Sequence, residues 1–298
     1  MFEAPIPQLD CNGRVLRLDA PRIMGIVNVT PDSFSDGGAH AEVERAVAHA
    51  LALVEQGADL LDVGGESTRP GATQVSVDEE LSRVIPVIQQ LASRVEVPIS
   101  IDTSKPDVMR AAVKAGAGMI NDVRALREDG AMSAAAELRV PVVLMHMQGE
   151  PGTMQDAPHY DAVVDDVHRF LADRILSCEF AGIDRKRIVV DPGFGFGKTF
   201  EHNVALLRAF RKFSDLGVFV LAGLSRKGMI GTMTGRDVDQ RAIGSVAAAL
   251  VAVQRGAQIV RVHDVAAMRD ALAVWNAIGP EPVPKPPAKA KISLFGDD

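Results

Sequence analysis

The sequence predicts an α/β fold, a single (β/α)8 barrel. Three observations lead there: eight short apolar runs recur along the chain, amphipathic helical runs separate them, and one glycine signal closes helix after helix. The apolar runs are Arg22–Val29, Asp59–Gly64, Pro98–Asp102, Met119–Val123, Pro141–His146, Arg187–Asp191, Val218–Gly223 and Gln258–His263. They are rich in Val, Ile and Leu with little polar alternation, as parallel strands covered on both faces should be. Between the second and third, Val77, Leu81, Val84, Ile88 and Leu91 keep helical spacing. Ser76 and Glu79 ahead of them make a capping box, and Pro86 is expected to kink that helix. Ser104-Lys-Pro-Asp107 starts another helix with Pro in its first turn. Gly57, Gly116, Gly182, Gly217 and Gly256 each end an amphipathic run just before a strand, where the left-handed C′ position favours glycine. Such a series suits either an open doubly wound sheet or a closed barrel. Eight units in about 250 residues match the barrel.

The barrel domain is expected to occupy residues 1–279, with the segment before Arg22 forming a hairpin over its floor. The Pro/Lys-rich stretch 280–298 reads as a disordered tail. Ala242–Val253 is the most apolar segment but too short for a bilayer, and reads as a buried helix. Hydrophobic residues make up 47% of the 298, enough for a substantial core. A net charge of −7 argues against nucleic acid and anionic membrane as partners. Cys11 and Cys178 show no metal or disulfide spacing, and no secretory signal is visible, so the chain reads as cytoplasmic.

Functional groups of such a barrel gather at the C-terminal ends of its strands. Those ends hold Asn28, Asp62, Asp102, Asn121 with Asp122, His146, Asp191, the segment after Gly223, and Arg261 with His263. One polar strand end marks only a boundary; eight converging on one face mark a site. Asp102, Asn121 and Asp191 suit a flat heterocycle bearing amino and ring N–H groups. Their burial calls for a ligand or a cation, and Lys227 can supply the cation. Arg261 and His263, two apart, share a face and, with Thr68-Arg69, suit an anion such as phosphate. Asp264 offers Arg261 an ordinary surface pairing instead. Asp191-Pro-Gly-Phe-Gly-Phe-Gly-Lys-Thr199 is neither a Walker A loop nor a dinucleotide fingerprint. It reads as a glycine-rich strand-to-helix loop in which Phe196 covers a flat ligand. No nucleophile elbow or zinc-binding helix appears. Schiff-base chemistry at Lys227 stays open, with Arg226 expected to lower its pKa and Asp partners to raise it.

These segments resemble the dihydropteroate synthase family. The resemblance rests on Met24-Gly-Ile-Val-Asn-Val-Thr-Pro-Asp-Ser-Phe-Ser-Asp-Gly-Gly38 and Asp62-Val-Gly-Gly-Glu-Ser-Thr-Arg-Pro-Gly-Ala72. It continues through Ser100–Pro106, Ile120–Val123, Met145–Gln148, Asp191–Lys198, Leu224–Lys227 and Arg261–Asp264, in family order. The resemblance implies a homodimeric barrel that joins para-aminobenzoate to (7,8-dihydropterin-6-yl)methyl diphosphate, a sulfonamide target. It implies that Asp102, Asn121, Asp191 and Lys227 bind the pterin in a pocket lined by Met145, Phe196 and Gly223. It assigns the diphosphate to Asn28, Arg261 and His263, with Mg²⁺ at Asn28 and a water link to Asp36. Thr68, Arg69, Pro70, Ser225 and Phe34 would shape the aminobenzoate site, and Arg261, His263, Lys227 and Asp36 would serve catalysis. One departure is Gly228, where the family often has Ser; it is expected to loosen its loop. The rival readings are a pterin-dependent methyltransferase, a Schiff-base aldolase and a non-catalytic pterin-binding paralogue.

Overall fold

A computed structural model describes residues 6–30, 39–67, 75–150 and 152–279. Two antiparallel strands come first, β1 (Gln8–Cys11) and β2 (Arg14–Arg17). Eight parallel strands follow: β3 (Arg22–Asn28), β4 (Leu60–Gly64), β5 (Ile99–Asp102), β6 (Met119–Asp122), β7 (Val142–Met145), β8 (Ile188–Asp191), β9 (Phe219–Ala222) and β10 (Ile259–Val262). They pair in chain order, and β10 pairs with β3 to close the barrel. Each expected strand run is present within one residue at either end.

The helices that cover the barrel are α1 (Ala39–Glu55), α2 (Val77–Ala92), α3 (Pro106–Ala115), α4 (Ala131–Leu138) and α5 (Val163–Phe180). Then come α6 (Phe200–Arg208), α7 (Gly228–Thr234), α8 (Ala242–Gln254) and α9 (Val265–Ile278). The five helix-closing glycines all have positive φ; Gly116 stands at 120° and Gly57 at 97°. A side chain at those angles would meet its own backbone, which is why glycine recurs there. Helix α2 continues through Pro86. Its capping box is only half made. Ser76 Oγ accepts from the Glu79 N–H at 3.2 Å, but the Glu79 carboxylate is taken by Arg83 one turn on.

The N-terminal hairpin does cover the floor. Leu9, Cys11, Leu16 and Leu18 pack against Met24, Leu60, Met119, Val143, Val189, Leu221 and Ile259 from seven of the barrel strands. Each fully buried large side chain there stabilises the fold by roughly 2 kcal/mol. The hairpin lies so close that a Cβ on Gly118 would stand 2.2 Å from the Cys11 carbonyl oxygen. Helix α8 departs from expectation. Ala249, Ala252 and Val253 are buried, yet Ile243 is 86% exposed, so the helix buries one face rather than its whole girth. Among the described residues no helix is long and apolar enough to cross a membrane. The expected tail, 280–298, lies outside the described residues.

Candidate active site

A period of two converts the barrel floor into the barrel mouth. On six strands the residue two positions after a floor residue is a candidate site residue or its neighbour: Leu60 and Asp62, Met119 and Asn121, Val143 and Met145, Val189 and Asp191, Leu221 and Gly223, Ile259 and Arg261. Side chains two apart leave a strand on the same side, so an apolar interior layer below dictates an interior-facing group above. Register sets the heights. Asn28 lies opposite Gly64, and Gly64 opposite Asp102. Gly64 leaves room in that row, since a Cβ there would stand 3.3 Å from Asp102 Cβ.

Arg261 organises one side of the mouth. Its Nε donates to Asp62 Oδ2 at 2.6 Å and its Nη2 to Asp102 Oδ2 at 2.8 Å. Asn121 Nδ2 donates to the same Asp62 oxygen at 2.9 Å. Burial pushes the Asp102 carboxyl up to about 7, against the pull of Arg261 and with further upward pressure from Asp62. Burial likewise raises Asp191 to about 6, although the Gly193 N–H, 2.7 Å from its Oδ1, and the charges of Lys227 and Lys198 oppose it.

Lys227 faces the same space. Its Nζ lies 4.1 Å from the centre of the Phe196 ring, a cation–π contact. Burial lowers its pKa to about 8, helped by the charge of Arg261 and opposed by Asp191 and Asp102. The expected helper, Arg226, turns away and forks onto Asp264 at 3.1 and 2.6 Å. Arg226 holds a left-handed φ of 57°, pinned by its N–H to Ser245 Oγ at 2.9 Å and by Arg241 on its carbonyl. That strained residue separates Ser225 from Lys227 and aims the two differently. Ser225 is buried; its Oγ stands 2.9 Å from His263 Nδ1 and accepts from the His263 N–H at 3.1 Å.

The glycine-rich loop is fastened from beneath by Lys198. Its buried ammonium meets four acceptors: His146 Nδ1 at 2.9 Å and the carbonyls of His146 at 3.3 Å, Gly193 at 2.8 Å and Phe196 at 3.0 Å. Burial lowers Lys198 to about 7, and burial with the Lys198 charge drives His146 to about 2. A true capping box, Thr199 with His202, starts α6 immediately after. Phe196 and Met145 sit in a small apolar cluster with Val123, Met147 and Met154. Opposite, a Cβ on Gly223 would stand 3.6 Å from Asp191 Oδ2, so glycine keeps that approach open.

Asn28, Asp102, Asn121, Met145, Asp191, Gly223 and Arg261 therefore stand at the C-terminal strand ends, with Phe196, Ser225, Lys227 and His263 on the loops just beyond. Phe34, Asp36, Thr68, Arg69 and Pro70 lie outside the described residues. Asp62 was visible as a polar strand end but without a role. The signal was its place two residues after Leu60. Lys198 closed a motif that matched no phosphate loop, and local sequence held no sign of its partner 52 residues away.

A barrel mouth lined by carboxylates, a carboxamide and cations suits a flat heterocycle that donates hydrogen bonds. The model for the pterin binding enzyme family matches residues 24–263, and the chain belongs to that family. Within it, the dihydropteroate synthase of Escherichia coli (strain K12) is 52% identical over 270 residues, 91% of this chain and 96% of that protein. A solved structure of Xanthomonas albilineans dihydropteroate synthase with 4-aminobenzoic acid is 65% identical, with a TM-score of 0.88 over 92% of this chain and 98% of that one. The Xanthomonas albilineans enzyme in complex with 7,8-dihydropteroate is 62% identical, with a TM-score of 0.85 over 91% and 98%.

Proposed function

We propose that this protein is a transferase of folate biosynthesis. It joins para-aminobenzoate to (7,8-dihydropterin-6-yl)methyl diphosphate and releases 7,8-dihydropteroate and pyrophosphate. The observation that carries this reading is the convergence of Asp102, Asn121, Asp191, Lys227 and Arg261 on one barrel mouth. Relatives over 90% of the chain, one solved with aminobenzoic acid and one with dihydropteroate, support it.

The pterin ring carries N–H donors, and the mouth offers carboxylates and a carboxamide to accept them. Asp102, Asn121 and Asp191 hold the ring, Lys227 adds a donor, and Met145, Phe196 and Gly223 bound the slot. The bond that breaks joins the pterin methylene to the diphosphate. Positive charge grows on the methylene, where the electron-rich pterin spreads it, and negative charge grows on the leaving oxygen. Arg261 and His263 stabilise that leaving group. The arylamine is neutral near pH 7 and attacks without a strong base. Thr68, Arg69, Pro70, Ser225 and Phe34 shape the aminobenzoate site, where sulfonamides compete, and Asp36 assists catalysis.

Among the described residues no cluster of three acidic, His or Cys side chains could hold a metal. The Asn28 amide oxygen, at the end of β3, would hold Mg²⁺, a hard cation that takes oxygen ligands. When bound, Mg²⁺ supplies charge neutralisation to the departing pyrophosphate. A homodimer is supported by apolar side chains left exposed on neighbouring elements, Ile243 on α8 and Val274 and Ile278 on α9. A cytoplasmic setting is supported by two buried, unpaired cysteines.

The test is pyrophosphate release from the pterin diphosphate, with and without para-aminobenzoate and Mg²⁺. Release that needs all three supports the reading. No release, or methyl transfer to a corrinoid partner instead, overturns it. Light scattering checks the dimer.

A further inference from the structure

We infer that Asp62 is a positioning residue for this reaction, one carboxylate oxygen aiming both Arg261 and Asn121. The inference rests on the condensation proposed above. Asp62 lies on β4 and is fully buried. Its Oδ2 accepts from Arg261 Nε at 2.6 Å and from Asn121 Nδ2 at 2.9 Å. Arg261 comes from β10 and Asn121 from β6, each two strands from β4 on opposite sides in the barrel order. One atom therefore ties together the group facing the anionic tail and a group facing the ring.

The chemistry of the tie sets how each partner is presented. An ionised carboxylate only accepts, so Asn121 must turn its NH₂ toward Asp62 and its carbonyl oxygen away. That adds an acceptor to those of Asp102 and Asp191 and favours a ligand edge made of N–H donors. Arg261 is held at Nε, at the root of its fork, which leaves the tip free to exchange Asp102 for a substrate oxygen. Among the described residues Asp62 Oδ1 has no hydrogen-bond partner, and neither has the hydroxyl of Ser100, its register partner on β5. A buried carboxylate with one idle oxygen is a costly way to brace a barrel, and an apolar residue would brace it better. Both bonds it makes go to ligand-facing groups.

The experiment compares Asp62→Ala and Asp62→Asn with the wild type. Binding of the pterin diphosphate alone is followed by calorimetry, and steady-state kinetics give both KM values. Asp62→Ala is expected to weaken pterin diphosphate binding roughly 10- to 100-fold, the size of a lost charge-assisted pair. The aminobenzoate KM is expected to stay within about twofold, because the tie does not reach that site. Asp62→Asn keeps an oxygen acceptor and should recover most of the affinity. With Arg261 and Asn121 both replaced by Ala, Asp62→Asn should cost nothing further, the non-additivity of a residue acting through others. If Asp62→Ala does not fold, Asp62→Asn should still bind more weakly than wild type, and only where Arg261 and Asn121 are present. Unchanged pterin diphosphate binding in the folded variants, or an equal loss in that double-Ala background, overturns the positioning role. A wild type that releases no pyrophosphate overturns the condensation instead.

Discussion

Arg261 and Asp102 meet across the barrel mouth, Nη2 to Oδ2 at 2.8 Å, from strands 159 residues apart in sequence. The same guanidinium holds Asp62, which is fully buried. Arg261 is thus a counter-ion for two carboxylates, and in the proposed reaction it also meets the leaving group. Arg261→Ala is expected to cut turnover roughly 100-fold or more. It is also expected to cost about 3–5 kcal/mol of stability, because it strands buried charge. Arg261→Lys keeps the charge but not the fork, so it should retain most of the stability and lose most of the turnover. Denaturant unfolding and initial rates on the two variants separate the roles; near-normal kinetics for Arg261→Ala would remove the leaving-group role.

Asp102 and Asp191 make the site sensitive to pH. Their carboxyls are raised to about 7 and about 6 from 3.8, chiefly by burial. In the proposed reaction the ionised forms accept the pterin N–H groups, so kcat/KM for the pterin diphosphate should fall as pH drops from 8 to about 5.5. Stability runs the other way. Well below 3.8 both groups are protonated folded and unfolded, and nothing differs. From there up to about 7 the folded protein keeps protons that the unfolded chain has lost, so these two groups make stability fall as pH rises. Thermal scans of the ligand-free protein at pH 5.5 and 7.5 check the sign. Equal midpoints in wild type and in Asp102→Asn would contradict it.

Lys198 and His146 form a buried pair, Nζ to Nδ1 at 2.9 Å. With its pKa near 2, His146 should show no ring titration between pH 5 and 8 in NMR spectra. Lys198→Met removes a donor from three carbonyls as well, and should destabilise the fold by at least about 2 kcal/mol. In that variant the His146 pKa should move upward, since the Lys198 charge is one cause of its depression.

Gly228 is the first residue of α7, and a Cβ built on it meets nothing within 4 Å. The expectation that this glycine loosens the loop gives way to a position inside a helical first turn. Gly228→Ser should fold normally, keep full activity and gain about 0.5 kcal/mol by restricting the unfolded chain. A clear loss of activity would show that the open space serves the reaction.

The sequence by itself determined the eight strands, their order, the hairpin beneath them and the polar residues that end them. Those features are written locally, in runs of Val, Ile and Leu, in glycines that close helices and in side chains that alternate with a period of two. Tertiary structure alone decided which charge answers which. Lys227 is a cation for the carboxylates, as expected, its charge reaching Asp191 and Asp102, but the cation hydrogen-bonded to Asp62 and Asp102 is Arg261, and Lys227 lies over Phe196. Asp264 looked available to Arg261, but Arg226 takes it. Lys198 found His146. These pairings depend on how far each strand is staggered against its neighbours when the sheet closes. A shift of one residue would turn every such side chain out of the barrel, and no local pattern encodes that sum.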